Sequence, residues 1–297
     1  MIVVTGATGQ IGSKVLERLL RQDEAVRVIV RNPEKLPAEA RARVDVVVGS
    51  HTDADVVDKA FAGADTVFWL MAADPAAASV YSYVTASVPA ADAIVRHGVE
   101  RIVLISALGR GTQLYAGHVS ASIAMDDLLR STGAHVRALT CPGFMENLLR
   151  QVPSIVNSGV ISFPMPGGIP FPYVSTGDIA DVAVRLLLDH TWTGQESIGV
   201  LGPKDITFAE MAAILSDVLG TPIRFEPGDP EQFFKDLMGY GHTEAMARAF
   251  IAMTTAKSRG LDNFLPRTPE NSTPTTFRSW AEAVLKPAVE AARQAVS

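Results

Sequence analysis

The chain of 297 residues contains one cysteine, Cys141, which excludes an intrachain disulfide and suits a reducing compartment. It contains no long apolar run: residues 102–108 are bounded by Arg101 and Arg110, and residues 66–73 by Asp65 and Asp74. A spanning helix needs about 20 apolar residues, so a membrane protein is excluded in spite of a mean hydropathy of +0.19. Base is not in excess either. With 26 Lys and Arg against 32 Asp and Glu, the net charge of −6 repels a polyanion, which argues against nucleic acid as a partner but leaves room for local cations to hold one small phosphate. No cationic, apolar leader opens the sequence, so a cytoplasmic location is expected. His51, His97, His135, His190 and His242 lack metal-ligand spacing, and no metal is expected. There is no internal repeat and no low-complexity tract.

What is present is an alternation of short apolar runs and amphipathic helices. Strands are expected at residues 2–4, 26–30, 44–48, 66–70, 101–105 and 136–140, with helices at 54–62, 80–96 and 118–130 and one carrying Val15, Leu16, Leu19 and Leu20 after the first turn. Strands alternating with helices imply an α/β fold with a doubly wound parallel sheet, and the nearly unbroken Val/Ile/Leu content suits a sheet covered on both faces. Past Pro142 the texture changes. Residues 159–172 hold so many prolines and glycines that irregular structure on the substrate side is expected. A helix is read at 176–188 with Asp178 as its cap, together with Thr176. Another is read at 208–219 behind a capping box, Thr207-Phe208-Ala209-Glu210. Residues 1–150 are therefore expected to form a dinucleotide-binding domain, with elements returning to it from 173–200, and residues 151–297 a smaller, mostly helical substrate lobe.

Gly6, Gly9 and Gly12 stand at the first strand-to-helix turn, in Thr5-Gly-Ala-Thr8-Gly-Gln10-Ile11-Gly12. A pyrophosphate approaching a helix N-terminus needs backbone angles and clearance that a Cβ resists, and it meets free N–H groups and the positive end of the helix dipole. This is the Rossmann context for a dinucleotide, with Gly6, Thr8, Gly9, Gln10, Ile11 and Gly12 as its contacts. At the end of the second strand an acidic residue would bind a ribose hydroxyl, whereas Arg31, with Lys35 just beyond, suits a 2′-phosphate. NADP is favoured and NAD stays open. Met71, after the fourth strand, is counted with the cofactor contacts, and Trp69 with the adenine side or the core.

These segments, together with Arg31-Asn-Pro33, Gly63-Ala-Asp65, Ile105-Ser-Ala107, Pro142-Gly-Phe-Met-Glu-Asn147, Asp178-Ile-Ala-Asp-Val-Ala183 and Thr276-Phe-Arg-Ser-Trp-Ala281, resemble the NmrA-like atypical short-chain dehydrogenase/reductases over nearly the whole chain. The resemblance implies an NADP-binding fold. It also implies either a reductase of quinones, azo dyes or related aromatics, or a cofactor-sensing regulator that has lost catalysis and acts through a protein partner. Some members reduce a quinone for an oxygenase in aromatic polyketide tailoring, so a partner oxygenase and a homodimer both stay open. Cys141, where the family often has arginine, and Ser50, where it tends to have aspartate, depart from the pattern.

Ordinary short-chain reductases pair a serine with Tyr-x-x-x-Lys. Counted from Ser106, the tyrosine position holds His118 and the lysine position Ser122, and none of the tyrosines at 81, 83, 115, 173 and 240 has a lysine four residues later. General acid catalysis is worth roughly 10²- to 10⁴-fold. Either His118 replaces the donor, sharing a helix face with Ser122 and Asp126, or the acceptor needs little acid, as a quinone does. The helix N-terminus depresses the pKa of His118 and favours a neutral ring. Ser106 and His118 are the catalytic candidates, and Phe144, Met145, Phe163 and Phe171, with Met165 nearby, are expected to line an apolar pocket for a small aromatic or quinone substrate. Cys141 reads as a buried small hydrophobe.

Overall fold

The computed structural model describes residues 1–296. Its elements run β1 (Ile2–Val4), α1 (Gly12–Leu20), β2 (Val26–Val30), α2 (Ala38–Arg41), β3 (Asp45–Val48), α3 (Ala54–Phe61), β4 (Thr66–Trp69), α4 (Ser82–Thr85), α5 (Val88–His97), β5 (Arg101–Ala107), α6 (His118–Arg130), β6 (His135–Cys141) and β7 (Gly143–Phe144). They continue through α7 (Val152–Ser158), β8 (Val160–Phe163), β9 (Phe171–Val174), α8 (Thr176–Leu188), β10 (Gln195–Gly199), β11 (Asp205–Ile206), α9 (Phe208–Leu219), β12 (Arg224–Pro227), α10 (Pro230–Gly239), α11 (Glu244–Ser258), α12 (Phe277–Trp280) and α13 (Lys286–Val296). Seven parallel strands form the main sheet in the order β10-β6-β5-β4-β1-β2-β3, a Rossmann-type sheet. Its faces are buried by α1 and α8 on one side and by α3, α5 and α6 on the other, which is why β1 and β4 are buried along their whole length.

β10 joins the sheet beyond β6, and α8 lies beside α1, so the chain returns to the sheet after leaving it at β7. A second core, around Phe208, Met211, Trp280 and Leu285, holds the lobe of α7, α9, α12 and α13. Residues 80–96 form two helices rather than one, because Pro89 lacks an N–H and starts α5 afresh. The stretch 159–172 is more regular than its composition implies: β8 pairs with β12, and β9 lies between β11 and β7. Only residues 164–170 between them lack strand or helix. Among the described residues no helix is long and apolar enough to cross a membrane, and no cluster of His, Cys, Asp or Glu could hold a metal ion.

Candidate functional site

The chain leaves β1, turns on Gly6 at φ 66°, and enters α1 at Gly12. The Gly9 amide donates to the Gly6 carbonyl at 2.8 Å, and Thr5 Oγ1 both donates to the Phe68 carbonyl at 3.1 Å and accepts from the Leu70 amide at 2.8 Å. β1 and β4 are thereby locked together at the switch point of the sheet, where this fold binds ligands. Thr8, Gly9 and Gln10 are exposed on the turn, and Ile11 is buried and anchors it. No side chain caps α1, and the amides of Gln10, Ile11 and Gly12 have no acceptor among the described residues. A helix N-terminus left in this way suits a phosphate. The glycines clear the approach, since a Cβ on Gly12 would stand 2.2 Å from the Gly6 carbonyl oxygen.

Arg31 follows β2 and is exposed, as is Lys35 at the end of the 3-10 turn Pro33–Lys35. Among the described residues neither side chain has an ion-pair partner, whereas the carboxylate between them, Glu34, is taken by Arg41. Two unspent cations at this strand end fit a 2′-phosphate. His51, edge-on to Trp69 at 5.4 Å, has its pKa lowered by burial first and then by the charge of Arg31. Trp69 is fully buried and donates to Ser87 Oγ at 3.2 Å, a core role, while Met71 is half-buried beside the same core. Replacing Arg31 with alanine is expected to weaken NADPH about 10- to 100-fold while leaving NADH unchanged, as measured by fluorescence titration of both.

Ser106 and His118 turn to different partners. Ser106 Oγ donates to Asp126 Oδ2 at 3.3 Å, and that wholly buried carboxylate also accepts from Arg110 at 2.9 Å and Arg130 at 2.6 Å. His118 Nε2 must carry hydrogen, because it donates to the Met246 carbonyl at 3.1 Å; Nδ1 then accepts from the Tyr83 hydroxyl at 3.3 Å. Both ring nitrogens are thus occupied, and His118 fastens α11 to the start of α6 rather than offering a free donor. Its pKa is lowered, as expected for a neutral ring, though the first cause is burial rather than the helix dipole. α11 lies so close that a Cβ on Gly117 would stand 2.0 Å from the Ala249 carbonyl.

On the lobe side, Met145 and Phe171 are buried in the lobe core, and Phe144 and Phe163 are half-buried. A cavity of about 30 Å³ on this side is lined by Asn147, Gln151, Phe163, Tyr173, Phe208 and Phe225 among others, and of the four expected lining residues it holds Phe163. The aromatic rings have packed on one another, with Phe171 5.0 Å and Phe163 5.6 Å from Phe208 and Phe225 stacked on it at 4.6 Å. Cys141 is buried, and burial pushes its thiol pKa up, so it is an inert apolar residue. Asp178 does not cap α8. Ser175 does, accepting from the Gly177 amide at 3.0 Å, while Asp178 accepts from Thr275 through its hydroxyl at 2.6 Å and its amide at 3.1 Å, tying the approach to α12 to the sheet. Two residues that sequence reading passed over also stand here. Glu146 is buried and bonded to Lys14 and Thr176, and Tyr173 lies against Gly143.

The model of the NmrA-like family matches residues 1–282. The chain belongs to the NmrA-like family. A (4-alkanoyl-5-oxo-2,5-dihydrofuran-3-yl)methyl phosphate reductase of Streptomyces griseus is 34% identical over 238 residues, 76% of this chain and 76% of that one. An NAD(P)H azoreductase of Xenophilus azovorans is 28% identical over 253 residues, 84% of each chain. The crystal structure of an NADPH-dependent quinone oxidoreductase from Escherichia coli, complexed with NADPH, superposes with a TM-score of 0.77 at 22% identity, covering 96% of this chain and all of that one. The NmrA-like chain therefore shares its fold from β1 through the lobe with that structure.

Proposed function

We propose that this NmrA-like protein is an NADPH-dependent reductase of a quinone or a related conjugated acceptor. The observation that carries the reading is the uncapped amide cradle of α1 beside the unpaired cations Arg31 and Lys35. The cradle would hold the pyrophosphate and the cations the 2′-phosphate, and NADPH bound in this way supplies a hydride. His118 and Ser122 in place of Tyr and Lys suit an acceptor whose reduced anion is delocalised and needs little immediate acid. The relatives support that class: the furanone reduced by the Streptomyces protein carries, by its name, a ring double bond conjugated to two carbonyls, and an azo dye is likewise conjugated. A quinone reduced for a partner oxygenase in aromatic polyketide hydroxylation is the form of this reading that the family resemblance suggests.

Mixing the protein with NADPH and a panel of naphthoquinones, and following loss of NADPH absorbance, is expected to show oxidation above the uncatalysed rate. No oxidation with NADPH binding retained would instead make the chain a catalytically idle regulator.

A further inference from the structure

We propose that Tyr173 is the proton donor of this reductase, reaching the reacting acceptor from β9 in place of the tyrosine missing at position 118; the inference rests on the reductase reading above. Tyr81, Tyr115 and Tyr240 are 47%, 61% and 83% exposed, and the Tyr83 hydroxyl is spent on His118. Tyr173 is only 8% exposed, yet among the described residues nothing takes its hydroxyl. The β7–β9 register sets it opposite Gly143, two residues past the end of β6, at the carboxyl edge where this fold places its ligand. A Cβ on Gly143 would lie 3.0 Å from Cε1 and 3.1 Å from Cζ, so the hydroxyl-bearing edge of the ring comes down on backbone that only glycine leaves clear. Tyr173 also lines the cavity of the lobe.

A second polar group stands on the 3-10 turn packed against β9. Asp262 is buried, with Oδ2 paired to Lys257 and Oδ1 without a partner among the described residues. Burial first, and then the Asp262 charge, raise the Tyr173 pKa, which makes the phenol a weak acid that yields its proton only to a strongly basic oxyanion, while Lys257 offsets the Asp262 charge. The acceptor left with an oxyanion after hydride addition takes the phenolic proton: the Tyr173 O–H bond breaks as the new O–H bond forms, and the tyrosinate recovers a proton from water. The residue that ordinary short-chain reductases carry on a helix is here supplied by a strand of the returning chain.

Tyr173→Phe keeps the ring beside Phe171, 5.3 Å away, and should fold. With a conjugated enone as acceptor, kcat is expected to fall about 100-fold with KM for NADPH unchanged; with a naphthoquinone, whose anion is stabilised, the loss should stay below about tenfold. Apart from turnover, the affinity for a hydroxynaphthoquinone anion, an aromatic that already carries the oxyanion, is expected to weaken about tenfold or more in the variant. Unchanged enone turnover together with unchanged anion affinity overturns the proposal. Should the wild-type protein oxidise no NADPH with either acceptor, the reductase reading fails, and the anion titration alone decides the role of Tyr173.

Discussion

Gly12→Ala is expected to abolish NADPH binding and to cost about 3 kcal/mol or more in stability, from one added methyl group. The methyl would stand 2.2 Å from the carbonyl oxygen of Gly6, 2.5 Å from its carbon and 3.1 Å from the Ala7 amide. All three are backbone atoms of the same turn, so no side chain can rotate away. Relief requires α1 to move off the loop, and the first amides of α1 are the cradle proposed for the phosphate. Gly98 is the control. It caps α5 at φ 65° with nothing within 4 Å of an added Cβ, so Gly98→Ala meets only left-handed strain, about 1 to 2 kcal/mol, with NADPH affinity untouched. Urea unfolding and NADPH titration of the two variants separate the clash from the strain. Equal NADPH affinity in Gly12→Ala and wild type would falsify the cradle.

The glycine turn was legible because it is local: three glycines within seven residues, between a buried strand and an amphipathic helix, carry their own geometry. The same holds for α9, where the Thr207 hydroxyl accepts from the Glu210 amide at 3.0 Å and the Glu210 carboxylate accepts from the Thr207 amide at 2.8 Å, the reciprocal pair read from spacing. α6 and α8 begin and end where periodicity placed them. Pro89 could have been read as a helix start, and was a missed local signal. Asp178 shows a harder limit: Ser175, Thr176 and Asp178 are all capping residue types, and the choice was made by Thr275, 97 positions away. Tyr173 lay beyond sequence altogether. Its place depends on β9 pairing with β7, and its charged neighbour Asp262 comes from after α11. The apolar lining was legible only as burial, since periodicity marks a residue as buried without saying whether it packs on a ligand or on another phenylalanine.

Those long-range contacts also tie the lobe to the strand ends of the main sheet. α8 meets α1 on one face of the sheet and, through Asp178 and Thr275, holds the approach to α12. α11 meets the start of α6 through His118 and Met246, and Leu261 beyond it lies where a Cβ on Gly109 would come within 2.8 Å. Residues from after α11 therefore cover the end of β5, the strand that carries Ser106. With Ser106 and His118 each committed to a structural bond, Tyr173, brought by the returning chain, is a hydroxyl beyond the end of β6 that nothing takes among the described residues.

Glu146→Ala is expected to lower stability by about 1 to 3 kcal/mol, the range for a buried hydrogen-bonding group left without its partner. Glu146, 3% exposed, accepts from the Thr176 amide at 3.0 Å through Oε2 and from the Thr176 hydroxyl at 2.6 Å through Oε1, and Lys14 pairs with it at 3.3 Å. It thereby joins the turn after β7 to the N-terminus of α8 and to the first turn of α1. Alanine leaves the Thr176 amide, on a residue with no exposure, without an acceptor, and leaves Lys14 with Thr176 alone. Glu146→Gln keeps an acceptor oxygen of the same reach but not the charge, so it should cost markedly less. Lys14 lies two residues beyond Gly12, which adds a functional readout: the alanine variant should weaken NADPH more than the glutamine variant, in the same order as the stability loss. If Glu146→Ala unfolds at the same urea midpoint as wild type, the three elements are held together by apolar packing alone, and Glu146 in the Pro-Gly-Phe-Met-Glu-Asn segment must owe its place to something other than this junction.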